Sequence, residues 1–266
     1  KNFFPKIKKK YFIITNKELK INNNNFYIIK ISNKYTKFPY PTLFRFKYFK
    51  QIPHNEFKNI NYMFFLNSNS IIKDIITIND LPINKFKYIF TIHDGYYNSE
   101  YKDIPYEKNK ISTACVTDAN YNTYVGGRFF GATLNKFINL CNKLYNNTLI
   151  DLLNNYIAIW HDESHLNKFF YDIKNSLYYL ASIKYHIPEQ LYDKIKQFRK
   201  LEKTNESVSN NIIKHRNIIS KIIYLDKRRY IKSYPKTYDE KKDKYCYNAN
   251  NKINIDLILY YKNNIL

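Results

Sequence analysis

Tyr156-Ile157-Ala158-Ile159-Trp160-His161-Asp162-Glu163-Ser164-His165-Leu166-Asn167-Lys168-Phe169-Phe170 is the densest run of functional side chains in an otherwise repetitive chain. An indole, two adjacent carboxylates and two imidazoles fall within six residues, between two apolar runs. Read as a helix, Asp162, His165 and Phe169 share one face, and Glu163, Leu166 and Phe170 the next. Asp162 or Ser164 suits the N-cap, and acids in a first turn are favoured by the helix dipole. Capping accounts for one acid. It does not account for two acids, two imidazoles and an indole together. His161 and His165 stand at i, i+4, the spacing of a zinc-binding helix. The zinc-protease pattern, however, puts Glu directly after the first His, where this chain has Asp162.

The nine residues Trp160 to Lys168 resemble, without a break, the signature of glycosyltransferase family 6. That family includes the ABO blood-group transferases, the α-1,3-galactosyltransferases and Forssman synthase. The resemblance implies a GT-A fold: a single-domain, Rossmann-like α/β sandwich with a mixed central sheet. It implies a retaining transferase that moves galactose or N-acetylgalactosamine from a UDP-sugar to a galactose 3-hydroxyl in α linkage. Glu163 would then lie under the anomeric carbon, as nucleophile or as stabiliser of an oxocarbenium-like state. Asp162 would hold hydroxyls of the donor sugar, and Trp160 would pack a flat face of the acceptor.

Working outward, the alternation of strands and helices itself argues an α/β sandwich with parallel strands. Tyr11-Phe12-Ile13-Ile14-Thr15 and Phe26-Tyr27-Ile28-Ile29-Lys30-Ile31 both read as buried strands. Segment 42–51 reads as one helix ended by Pro53, and 61–66 as a fully buried strand. Arg45, on that helix, matches a family arginine at the donor site. Asn67-Ser68-Asn69 follows the strand directly, where open α/β sheets bind ligands. By itself the triplet is also an ordinary turn. It resembles the family's Asp-x-Asp metal site in the Asn-x-Asn form of bacterial relatives, which implies catalysis without metal. Neutral amides are poor ligands for hard cations.

Tyr88 to Tyr97 reads as a strand and then a turn at Gly95. It resembles the family's His-Pro-Gly acceptor segment, with Asp94 in place of Pro and His93 as the acceptor contact. Pro105-Tyr106-Glu107 resembles the family's Tyr-Glu-Arg element. Tyr124-Val125-Gly126-Gly127-Arg128-Phe129-Phe130-Gly131-Ala132 holds three of the four glycines. Glycine there permits positive φ or close approach of backbone to a ligand. The stretch resembles the donor-sugar loop, so Gly126, Gly127 and Arg128 would contact the donor. Arg128 departs from the small residue of animal relatives, which leaves the choice between galactose and N-acetylgalactosamine open.

Downstream, 133–155 reads as a long core helix and Leu177-Tyr178-Tyr179-Leu180 as a strand. Ile187-Pro188-Glu189 reads as a helix start with Pro in its first turn. Segment 194–221 reads as a polar insertion. Ile222-Ile223-Tyr224-Leu225-Asp226-Lys227-Arg228-Arg229 resembles the family's C-terminal strand and basic segment, so Lys227 and Arg228 would neutralise the leaving diphosphate. The transferase domain is expected over 1–229, with 230–266 an extension matching no motif. The family's first strand should precede Tyr11. Too few residues stand there, so either that strand is missing from this sequence or nucleotide binding is altered.

Composition sets outer limits. A chain of 266 residues with 44% hydrophobic and 18% aromatic residues is not a disordered polymer. The formal charge of +22 would suit a nucleic-acid-binding module. Lysines spread through every segment argue instead for a genomic bias, so no nucleic-acid partner is expected. A non-catalytic, sugar-binding relative is the other alternative. Cys115, Cys141 and Cys246 form neither a metal pattern nor an even disulfide set. With no apolar run of about 18 residues and no signal peptide in view, a cytoplasmic protein is expected.

Overall fold

The computed structural model of the chain describes residues 2–32, 39–201, 219–226 and 229. Lys227, Arg228, Cys246, the extension 230–266 and most of the polar insertion lie outside the described residues. In chain order the elements are β1 (Tyr11–Thr15), β2 (Phe26–Lys30), α1 (Tyr40–Leu43), α2 (Arg45–Phe49), β3 (Tyr62–Leu66), β4 (Ser70–Ile72) and β5 (Tyr88–Thr91). There follow β6 (Phe129–Thr133), α3 (Leu134–Leu153), α4 (Asp162–Asp172), β7 (Tyr178–Ala181), β8 (Ile187–Pro188), α5 (Glu189–Leu201) and β9 (Ile222–Tyr224).

The central sheet runs β3-β6-β5-β7. It is mixed, as the family resemblance implies, rather than parallel throughout. β6 pairs antiparallel with both β3 and β5, and β5 pairs in parallel with β7. Strand side chains alternate between faces, so neighbouring residues feed different cores. Phe90 and Phe130 join Phe137, Leu140, Leu144, Leu166 and Phe170 under α3 and α4. Ile89 and Phe129 turn the other way, towards Ile76, Leu81, Tyr185 and Tyr224. That second face is covered by the sheet β4-β9-β8 and by the N-terminal Phe4. The result is a mixed α/β sandwich of the GT-A type. Among the described residues, no helix is long and apolar enough to cross a membrane.

Four local expectations change. β1 and β2 pair only with each other, in parallel and half-exposed, so their apolar runs do not mark a buried strand. β3 buries only Met63 fully, because its rings lie along partly open edges. Segment 42–51 is two short helices, broken at Phe44, whose φ of −100° and ψ of 14° leave the helical region. Pro188 closes β8 beside Tyr224, and the helix starts one residue later at Glu189.

Candidate active site

The signature helix α4 begins on a tight turn. Glu163 N–H donates to the Trp160 carbonyl at 3.0 Å, and His161 between them has φ 52° and ψ −122°. This is the geometry of the first central residue of a type II′ turn, which normally calls for glycine. Neither Asp162 nor Ser164 is the N-cap; His161 takes that position. The Ser164 hydroxyl instead accepts the Trp160 N–H at 3.0 Å, tying the indole-bearing residue to the helix. Glu107 reaches the same segment from the Pro105-Tyr106-Glu107 loop, accepting the Ile159 N–H at 2.9 Å.

The turn delivers both acids to α2 and the glycine loop. Asp162 Oδ2 lies 2.7 Å from Arg45 Nη1, with both side chains largely buried. The same nitrogen donates to the Gly127 carbonyl at 2.5 Å, and the guanidinium lies 4.5 Å over the Phe65 ring. Gly127 N–H in turn donates to Glu163 Oε2 at 2.6 Å. Burial pushes the Asp162 carboxyl up to about 7, against the pull of Arg45 and with the push of Glu163. Asn167, also from the signature, fixes the loop from beneath. Its Oδ1 accepts the Val125 N–H at 2.8 Å, and its Nδ2 donates to the Val125 and Glu163 carbonyls, both at 2.9 Å.

The glycines serve close approach, since none has positive φ. A Cβ on Gly127 would sit 3.0 Å from Glu163 Oε2 and 3.3 Å from Arg45 Nη1. One on Gly131 would come within 2.8 Å of the Met63 carbonyl oxygen on the paired strand. Arg128 turns its guanidinium over the Tyr224 ring at 5.4 Å, and its buried Nη1 has no hydrogen-bond partner.

His93 follows β5, and its Nδ1 accepts the Gly95 N–H at 3.0 Å. Its ring packs on those of Tyr96, Tyr124 and His186, at 4.9, 5.8 and 4.7 Å. Tyr124, fully buried, connects this group to the carboxylates: burial, then the charge of Glu163, push its phenol far above the usual range. Tyr124 heads the glycine stretch without a role of its own there, and no motif pointed to His186. His186 precedes a Pro-Glu pair that reads only as a helix start, and its partners lie far along the chain.

Two metal arrangements can be weighed. Asn67 and Asn69 follow β3 as anticipated, and the Asn67 N–H bonds the Arg128 carbonyl at 3.1 Å. Asn69 Nδ2 is spent on the Leu225 carbonyl at 2.7 Å, which leaves one neutral oxygen on that side chain. Such a donor set does not fit a hard divalent ion. Asp74, the next carboxylate along, is engaged by Lys221 at 2.7 Å. His93, Asp94 and His186 do cluster at metal-ligand spacing. Each imidazole Nδ1 there already has a hydrogen-bond partner, and the Arg128 charge acts on both Asp94 and His186. The signature's own imidazoles are no zinc pair: His165 is buried in the core, 3.6 Å from Asp151, and His161 tops the turn.

Arg45, Gly127, Asp162 and Glu163 thus come together, with Gly126 and Arg128 flanking them. Asn67 and Asn69 stand where β3 meets the Arg128 backbone, and His93 joins through Tyr124. Trp160 is held half-buried on the turn ahead of α4.

Known proteins are similar to this chain in sequence. The chain is 31% identical over 176 residues to the O-antigen biosynthesis glycosyltransferase WbnI of Escherichia coli, covering 64% of this chain and 71% of that protein. It is 30% identical over 139 residues to the globoside alpha-1,3-N-acetylgalactosaminyltransferase 1 of Homo sapiens, 51% of this chain and 36% of that one. The histo-blood group ABO system transferase 1 of Rattus norvegicus is 32% identical over 103 residues, 39% of this chain and 28% of that one. The chain therefore spans only about a third of the length of these animal relatives. The model of glycosyltransferase family 6 matches residues 8–215, a span that holds α2, the glycine loop and the whole of the signature turn. With that span matched and its carboxylates gathered on Arg45 and Gly127, the chain belongs to glycosyltransferase family 6.

Proposed function

We propose that the chain transfers galactose or N-acetylgalactosamine from a UDP-sugar to the 3-hydroxyl of a galactose-terminated glycan, in α linkage and with retention. Membership of family 6 makes it a glycosyltransferase that takes a nucleotide-sugar donor and a glycan acceptor. Relatives whose names specify α-1,3-N-acetylgalactosaminyl transfer support the donor and linkage proposed. The observation that carries it is the fixing of Glu163. Its Oε2 accepts the Gly127 N–H at 2.6 Å, within the Arg45–Asp162 cluster.

In this reading Glu163 faces the anomeric carbon and carries the charge that answers an oxocarbenium-like state. Gly127 orients that carboxylate. Arg45 holds Asp162 and the loop backbone together, so Asp162 presents its second oxygen to the donor sugar. Gly126 and Arg128 wall the donor, while His93 and Trp160 hold the acceptor. Arg45, Lys227 and Arg228 supply positive charge for the leaving diphosphate.

Two tests follow. Incubation with UDP-galactose and UDP-N-acetylgalactosamine on a glycan array should label galactose-terminated acceptors. Glu163→Gln should lower turnover at least about 10²–10³-fold, the scale of one preorganised charge at a reacting centre. Its UDP affinity, read by calorimetry, should stay near wild type. Near wild-type turnover in the variant would remove Glu163 from the chemistry. Activity should also survive excess EDTA and respond little to Mn²⁺, because Asn67 and Asn69 offer only neutral oxygens. Loss in EDTA with recovery in Mn²⁺ would overturn the metal-free reading.

A further inference from the structure

His186 is fully buried between the central sheet and β9, yet no motif places it there. Its Nδ1 lies 2.8 Å from Asp94 Oδ1. Burial alone would raise the Asp94 carboxyl, but the His186 hydrogen bond and the nearby His93 and Arg128 charges hold it below its usual range. Asp94 is therefore an anion that can only accept, so Nδ1 carries the proton. Burial lowers the imidazole to about 4, so the ring stays neutral and Nε2 is a bare acceptor. Nothing among the described residues donates to it.

What Nε2 faces is Gly126. A Cβ there would come within 2.7 Å of the ring's Cε1 and closer still to Nε2 and Cδ2. The imidazole thus fills the room that a side chain at position 126 would need. From another side Gly126 N–H donates to the Thr91 carbonyl at 2.8 Å, so the residue is held between β5 and the ring. The next amide is Gly127 N–H, the group that fixes Glu163. Asp94, His186, Gly126, Gly127 and Glu163 therefore form one unbroken series of contacts.

We propose that Asp94 and His186 are positioning residues for Glu163, the carboxylate pinning an imidazole that backs the Gly126-Gly127 segment and so sets where Gly127 N–H holds the catalytic oxygen. This rests on the assignment of Glu163 to the reacting centre. Removing the ring leaves the segment free to sink into the vacated space. A misplacement of about 1 Å at a reacting group can cost about 10²-fold in rate.

Four variants test the pair: Asp94→Asn, His186→Ala, Gly126→Ala, and the double variant Gly126→Ala/His186→Ala. Thermal melts without substrate read the packing. Gly126→Ala should lower Tm by several degrees, and the double variant should recover part of that loss, since the ring is gone. Strictly additive losses would show that His186 does not occupy the room at 126. Steady-state kinetics read the positioning. His186→Ala should lower kcat about 10–100-fold with donor KM changed less than threefold. Asp94→Asn keeps the size of a side chain that is only 10% exposed, and should lower kcat in the same direction with a smaller loss of Tm than His186→Ala. If both variants keep wild-type kcat, the pair is packing only and the proposal fails. The melting test is independent of the transferase assignment, so its failure is distinguishable from a failure of Glu163→Gln.

Discussion

At His161 the backbone works against the residue that occupies it. A φ of 52° suits glycine and costs other residues about 1–2 kcal/mol. The neighbours on either side are Trp160 and Asp162, so the turn aims both the indole and the first carboxylate. The imidazole is 7% exposed, which offsets part of the strain by burial. The two contributions separate in a pair of variants. His161→Ala loses the packing and keeps the strain, whereas His161→Gly loses the packing and relieves it. His161→Gly should therefore be the more stable by about 1 kcal/mol, read by chemical denaturation, against the usual order of alanine over glycine. The opposite order would mean that the turn relaxes without its imidazole. No pattern in the sequence announced this strain. Asp162 and Glu163 stood out because two adjacent acids beside an indole and two imidazoles are rare in a chain of lysines, asparagines and isoleucines, whereas Arg45 was reached only through the family resemblance.

At the scale of elements, α4 does more than carry acids. Asn167, one turn on from Glu163, accepts and donates to both backbone groups of Val125, so it acts as a strand partner for the glycine loop. Farther along the core, Asp151 of α3 accepts from the Ser112 hydroxyl and from Thr113, fixing the loop between Glu107 and the glycines. Asn167→Ala leaves a buried N–H and C=O without partners, each worth about 1–3 kcal/mol. Asn167→Asp can accept but no longer donate. Both should destabilise, alanine the more, and both should cut turnover through the shifted loop. Retained turnover with lost stability would confine Asn167 to folding. The helices α3 and α4 were legible because their apolar residues recur at three and four. The N-terminal strands were misjudged as buried for the converse reason. Where Ile, Phe and Tyr are common everywhere, an apolar run of five residues does not report burial. The break at Phe44 is set by packing against Leu152 and its neighbours, which no local pattern carries.

For the whole molecule, the formal charge of +22 says little about folding, whereas a few buried ionisable groups control its response to pH. Burial lowers His165 to about 3; burial, helped by the His165 charge, lowers His161 to about 4; and burial lowers His186 to about 4 despite Asp94. In the unfolded chain each titrates near its ordinary value of about 6.5. Between about 4 and 6.5 the unfolded state therefore binds more protons, and these three groups make stability rise with pH and fall with acid. Asp162 has the opposite sign. Raised to about 7 by burial, it holds a proton in the folded state that the unfolded chain releases near 4, so it costs stability as pH rises through that window. Asp151, also raised by burial, adds to that side. Three groups against two predict a net loss of stability on going from pH 6.5 to 5, with each group contributing up to about 1.4 kcal/mol per pH unit. Asp162→Asn removes one opposing contribution. Its stability should therefore fall more steeply than wild type between pH 6.5 and 5. Urea denaturation of the two proteins at pH 5, 6 and 7 reads the slopes directly. Parallel slopes would mean that Arg45 keeps Asp162 ionised throughout, as a 2.7 Å ion pair can when water reaches it, and that the carboxylate meets its donor sugar fully charged.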